Sequence, residues 1–163
     1  MKNMRWYKNK WVGKIKKLIL FLCIFSWFIF LCPLHPMLVS GNSMEPTLKD
    51  GQTVIGIHSP KKIKYQELIV AYIPELQKTI IKRVYGMPGD TIQITNGLVY
   101  RNGTLVEKEG GYPSDTETDL SVTLKMDEYF VLGDNRSVSY DSRSRDIGMI
   151  KQTDIRYKIV WYL

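Results

Sequence analysis

Asp90-Thr91-Ile92-Gln93-Ile94-Thr95-Asn96-Gly97-Leu98-Val99-Tyr100-Arg101 decides the fold class. Apolar residues alternate with polar ones on both sides of Asn96-Gly97, a dipeptide suited to two-residue hairpin turns because both of its residues tolerate positive φ. Asn102-Gly103 repeats the signal before Thr104-Leu105-Val106. Working outward, strand-like runs appear at Thr53–His58, Leu68–Ile73, Thr79–Tyr85, Glu128–Leu132 and Ile155–Tyr162. They are bounded by Gly, Pro, Asn or Asp, as short strands are. No amphipathic helical period follows residue 40. The expectation is a mainly β, compact domain of short, coiled sheets over residues 40–163, with 107–121 as an exposed loop.

The N-terminal part has another character. Seven of the 23 basic residues lie in residues 1–17, and no Asp or Glu occurs before Glu45. The other 16 basic residues balance the 16 acidic ones, so the net charge of +7 belongs to the N-terminus. A nucleic-acid binder carries its basic surface on the folded domain, and none is expected here. Leu18 to Cys32 is an uncharged apolar run of 15 residues, followed by Pro33 and Pro36. Extended back over 11–32 it gives about 33 Å of helix at the standard rise, enough for a bilayer. A cleaved signal peptide, an uncleaved anchor and a buried helix all compete for it. No Ala-x-Ala-like site follows, and the run has no polar face, so the anchor is favoured. Residues 1–17 are then a cytoplasmic basic segment and 18–39 a single-pass membrane anchor. Positive charge before the span leaves 40–163 outside the cytoplasm.

Cys23 and Cys32 both lie in the apolar run, and the only histidines are His35 and His58. Disulfides, metal sites and cofactors are therefore not expected in the β domain.

Three blocks carry candidate chemistry. In Ser40-Gly41-Asn42-Ser43-Met44-Glu45-Pro46-Thr47-Leu48, Ser43 sits on a turn pinned by Pro46. A turn serine bonded to its own backbone looks the same locally, and a serine nucleophile needs a base. Lys82, in Thr79-Ile80-Ile81-Lys82-Arg83-Val84, shares a strand face with Ile80 and Val84. Burial there would lower its pKa and make it a base; an edge-strand lysine guarding against aggregation is the plainer reading. In Gly133-Asp134-Asn135-Arg136-Ser137-Val138-Ser139-Tyr140-Asp141-Ser142-Arg143, an extended backbone would put Ser139, Asp141 and Arg143 on one face. Asp141 and Arg143 suit a bidentate pair.

Taken together, these blocks and Lys82-Arg83-Val84-Tyr85-Gly86-Met87-Pro88-Gly89-Asp90 resemble, in order and spacing, the boxes of bacterial type I signal peptidases (leader peptidases). The small, single-anchor Gram-positive members are the most similar, and the resemblance runs from the anchor to about Ile150. It implies a signal-peptidase-like β fold and a membrane-bound serine endopeptidase. Ser43 would be the acylating nucleophile and Lys82 the general base. Ser139 would position the Lys82 amine, Asp141 and Arg143 would brace the site, and the Ser43 N–H would serve the oxyanion. At Gly41 some members carry a serine that assists there. The implied substrates are secretory preproteins whose extended signal peptides have small side chains at the first and third positions before the cut. Met44, Leu48 and Ile81 are the expected pocket walls, although each also suits plain core packing. Besides preproteins and the lipid bilayer, no obligate protein partner is expected. Two alternatives remain: a catalytically silent, membrane-anchored β binding domain, and a self-cleaving repressor with the same Ser/Lys chemistry.

Overall fold

The structure, a computed structural model, describes residues 11–12, 14–23, 26, 34–58, 62–106 and 119–162. The chain divides into two units, Met1–Pro33 and Leu34–Leu163. In the first, the described residues are helical, and Trp11, Ile15, Leu18, Leu20 and Phe21 are exposed. Among the described residues no helix is long and apolar enough to cross a membrane. Most of the second half of the apolar run, including Cys32, lies outside them.

The second unit is built of antiparallel strands: β1 (Leu34–Leu38), β2 (Thr53–His58), β3 (Leu68–Ile73), β4 (Lys78–Gly86), β5 (Thr91–Thr95), β6 (Leu98–Arg101), β7 (Thr104–Leu105), β8 (Leu120–Thr123), β9 (Glu128–Leu132), β10 (Ile150–Lys151) and β11 (Ile155–Tyr162). They form a seven-stranded sheet in the order β1-β2-β11-β3-β4-β9-β10 and a four-stranded sheet in the order β7-β6-β5-β8. Register shifts in β11 and between β4 and β9 bend the large sheet, as bulges do.

Period-two alternation explains how the core divides. On β3, Ile69, Ala71 and Ile73 pack with Val84, Val131 and Ile155, while Leu68 and Val70 pack with Met44, Leu48, Val54 and Ile159. On β9, Tyr129 and Val131 join the first group, while Phe130 and Leu132 close over Ile92, Ile94 and Val99. Strands buried on both faces carry apolar residues at nearly every position, hence the unbroken Leu68-Ile69-Val70-Ala71. The two Asn-Gly turns take the double positive-φ form, with Asn96 at 51° and Gly97 at 77°, Asn102 at 52° and Gly103 at 76°.

Three strands depart from the sequence expectation. β1 lies in the segment assigned to the anchor, and the β unit begins at Leu34 rather than at residue 40. Pro36 is tolerated there because β1 is an edge strand, where one side needs no N–H donor. β8 takes Leu120 and Ser121 out of the expected 107–121 loop; residues 107–118 lie outside the described residues. The two-residue β10 extends β9 at the far edge.

Candidate active site

The turn carrying Ser43 is closed from both ends. Val39 N–H donates to Gln52 O at 2.9 Å and Gly51 N–H to Val39 O at 2.9 Å, so the chain leaves and re-enters at one point. Gly41 adopts φ 88° and donates its N–H to Asp50 Oδ1 at 2.7 Å. Met44 and Leu48, 1% and 0% exposed, plug the turn into the core between Val54 and Val70. Ser43 is thus held by its neighbours' burial, and its own N–H has no acceptor among the described residues.

Lys82 stands on β4 between two kinds of edge. β3 pairs with the whole stretch Lys78–Arg83, but β9 pairs with β4 only from Arg83 onward. Among the described residues, no strand lies along the other edge of Lys78–Lys82. Lys82 is 4% exposed, so it is not an edge lysine dipping into solvent. Its Nζ donates to Ser43 Oγ at 2.6 Å. Burial lowers its pKa to about 8, against the opposing pull of Asp141 and Asp134 and with a smaller push from Arg143. Desolvation dominates because no carboxylate touches the amine.

The next residue, Arg83, faces the other way. It makes a two-pronged pair with Asp134, at 2.9 and 2.6 Å, and also reaches Gln66 O and Thr47 Oγ1. The hydrogen bond to Asp134 raises its pKa. Sequence reasoning missed this pair. The available signal was Arg83 on the strand face opposite Lys82, together with an acidic residue next to Gly133.

The loop after β9 is closed by Asp141, which is 1% exposed. Its Oδ2 accepts the Gly133 N–H at 3.0 Å, and Arg143 grips both carboxylate oxygens, at 2.8 and 3.0 Å. The bidentate pair expected from the sequence is therefore present. Arg143 also donates to the carbonyls of Arg136 and Ser139, and Arg136 donates to Gly133 O while stacking over Tyr85. Asn135 N–H donates to Ser43 O at 3.1 Å, joining this loop to the nucleophile's turn.

Ser139 does not form the expected bond to the Lys82 amine. Its Oγ is buried and has no hydrogen-bond partner among the described residues. Gly133 brings it close to the nucleophile's backbone: a Cβ there would lie 2.0 Å from Ser139 Oγ and 2.5 Å from Ser43 O. No other residue fits at 133, a constraint not evident from the sequence.

Two cavities flank the pair and share Gly41, Ser43, Ile80 and Lys82. One, about 370 Å³, is walled by Met37, Val39, Met44, Val70 and Ile81. The other, about 520 Å³, is walled by Leu76, Lys78, Val138, Tyr140 and Ile147. Met44 and Ile81 therefore line a cavity as expected, whereas Leu48 lies beneath it in the core and lines neither. No cluster of three or more metal-ligating side chains occurs among the described residues.

A hydroxyl touching a desolvated amine, beside an unused backbone N–H and an open strand edge, is equipped for acyl transfer from an extended peptide. The family model for signal peptidase, peptidase S26, matches residues 11–162. Signal peptidase I U of Bacillus subtilis (strain 168) is 34% identical over 137 residues, 74% of this chain and 70% of that protein. Signal peptidase IB of Staphylococcus aureus (strain Mu50 / ATCC 700699) is 33% identical over 172 residues, 92% of this chain and 86% of that protein. The crystal structure of a signal peptidase I from Enterococcus faecalis V583 superposes with a TM-score of 0.51 at 27% identity, covering 61% of this chain and 98% of that one. With the family model spanning nearly its whole length and relatives matching in sequence and fold, this chain belongs to the signal peptidase family, peptidase S26.

Proposed function

We propose that this protein is a membrane-bound serine endopeptidase that removes signal peptides from secretory preproteins after small-x-small sequences. The observation that carries the mechanism is the 2.6 Å contact between Ser43 Oγ and a Lys82 amine whose pKa is lowered to about 8. The neutral amine takes the Ser43 proton as Oγ attacks the scissile carbonyl. The Ser43 N–H, which has no acceptor among the described residues, donates to the oxyanion that forms. The resulting ammonium gives its proton to the departing amine of the mature chain. Water, deprotonated by the same Lys82, then frees the signal peptide and restores Ser43.

Asp141 and Arg143 keep the loop closed around Gly133. Ser139, whose buried hydroxyl has no hydrogen-bond partner among the described residues, is assigned the role of orienting the amine, since an unsatisfied buried hydroxyl costs free energy and a catalytic role is one reason for keeping it. Gly41 offers no hydroxyl to the oxyanion, and its φ of 88° disfavours a serine in its place. The signal peptide lies as an added strand on the open edge of Lys78–Lys82, a mode in which main-chain bonds give affinity and pockets read alternate side chains. Its small residues fill the Met44 and Ile81 cavity.

The apolar segment over residues 11–32 is the single anchor. It holds the catalytic domain at the outer face of the membrane with residues 1–17 in the cytoplasm. No nucleic acid and no cofactor enter the reaction.

The test is cleavage of a model preprotein by the full chain in detergent. Ser43→Ala and Lys82→Met should each abolish cleavage while the protein still folds. Near-normal cleavage by Lys82→Met would remove Lys82 from the base role.

A further inference from the structure

We propose that Asp50 is a positioning residue for acyl transfer: its carboxylate tethers the Gly41 N–H and so holds the Ser43 peptide group, the oxyanion donor, in line. This rests on the reading of the chain as a signal peptidase. The turn that carries Ser43 has unequal supports. On its C-terminal side, Met44 and Leu48 are buried in the core, and Ser43 O accepts the Asn135 N–H at 3.1 Å. On its N-terminal side, Gly41 and Asn42 are exposed. A Cβ at Gly41 would meet nothing within 4 Å, so no neighbour packs against that residue. At φ 88° it also has a glycine's wide choice of backbone states. The Ser43 N–H shares one planar peptide group with the Asn42 C=O. That carbonyl accepts the Glu45 N–H at 3.2 Å, a long bond, so the direction of the donor depends on where Gly41 leaves the chain. The 2.7 Å bond to Asp50 Oδ1 is the only hydrogen bond Gly41 makes among the described residues.

Asp50 is suited to this hold. It stands in Lys49-Asp50-Gly51-Gln52, a segment stitched to itself and to the chain before the nucleophile. Gln52 N–H donates to Lys49 O at 3.1 Å, Lys49 N–H to Gln52 Oε1 at 2.8 Å and Gly51 N–H to Val39 O at 2.9 Å. Asp50 makes no ion pair and no other hydrogen bond among the described residues. A charged acceptor also makes a shorter and stronger bond than a neutral one. Asp50 and Ser43 line the same cavity, and a negative charge does not favour an oxyanion forming there. The residue therefore contributes through its bond to Gly41 and not through its field.

The experiment measures kcat and KM separately for a model preprotein, with the full chain in detergent, for wild type, Asp50→Ala and Asp50→Asn. Asp50→Ala should lower kcat about ten- to a hundredfold, the scale of a misplaced catalytic group. KM should stay unchanged, as when an interaction made only in the transition state is lost. Asp50→Asn keeps a side-chain oxygen as acceptor and should recover to within about threefold of wild type, the step from a charged to a neutral acceptor. The charges that act most on Lys82 are Asp141, Asp134 and Arg143, so the pH profile of Asp50→Ala should keep the wild-type inflection. Thermal unfolding establishes that each variant is folded at the assay temperature. Wild-type kcat in Asp50→Ala, a loss confined to KM, or a loss matched by the fraction unfolded overturns the proposal. An Asp50→Asn variant as slow as Asp50→Ala overturns it too. Failure of the peptidase reading shows differently, since wild type itself would then leave the preprotein uncut.

Discussion

Lys82 and Arg83 are adjacent on one strand, both largely buried and both basic, and their environments are opposite. Arg83 meets a matched carboxylate, two further oxygens and a raised pKa. Lys82 meets a hydroxyl, no carboxylate within contact and a pKa lowered to about 8. The strand's alternation sends one to each face, and the position where β9 begins to pair with β4 falls between them. Satisfied charge makes Arg83 a brace. Unsatisfied charge makes Lys82 reactive, since only a side chain that is costly to ionise is neutral near neutral pH.

The sharpest way to break this contrast is to make the two residues alike. Lys82→Arg keeps positive charge and length but cannot release its proton in this pH range. Cleavage should fall by about a thousandfold or more, the scale of losing a general base and its activated nucleophile. In wild type, kcat/KM should rise tenfold per pH unit below the Lys82 pKa and level off near pH 8. A profile flat from pH 5 to 9 would contradict a lysine base.

Much of this was legible in the sequence. Each hairpin was readable because Asn96-Gly97 and Asn102-Gly103 specify their own geometry. Lys82 was readable because a lysine between Ile80 and Val84 on one strand face departs from that face's apolar pattern. Ser139 was placed by assuming an extended backbone, but residues 134–147 run mainly through turns and bends, so only the Asp141–Arg143 half of that expectation forms. β1 was hidden because Pro33 and Pro36 read as the end of the preceding apolar run. Its strand state comes from pairing with β2, a contact no local pattern encodes. Arg83–Asp134 joins positions 51 residues apart, and neither residue is unusual in its own segment.

A second test removes the brace. Arg83→Met leaves Asp134, with its side chain 11% exposed, without its partner. Loss of stability of about 3 kcal/mol is expected, the low end for breaking a buried pair, because both side chains keep some access to water. Denaturant unfolding checks it. Asp134, no longer neutralised, also attracts a proton to Lys82 more strongly, so the pH profile of cleavage should move toward alkaline pH. Stability lost without that movement would mean that Arg83 acts on packing alone.

The smallest effect has the sign least expected of a catalytic residue. Lowering Lys82 from 10.5 to about 8 corresponds to roughly 3 kcal/mol against the folded state wherever the amine is charged. Between pH 8 and 10.5 the unfolded chain holds a proton on Lys82 that the folded chain has released. Folding stability therefore rises with pH through that window, and below pH 8 the cost is present in full. Lys82→Met removes the charge and keeps an unbranched, flexible side chain in the same space. It should stabilise the fold at pH 7 by about 1–3 kcal/mol, since relaxation and water entry reduce the full figure. The gain should shrink as pH approaches 10.5, where the wild-type amine is neutral in both states. Thermal unfolding of the two proteins from pH 6 to 10.5 measures this, and a gain independent of pH would assign it to packing instead of charge. The result expected is that the residue most damaging to activity when replaced is also one whose replacement makes the protein harder to unfold, as follows if Lys82 is buried for its chemistry and opposed by its own desolvation.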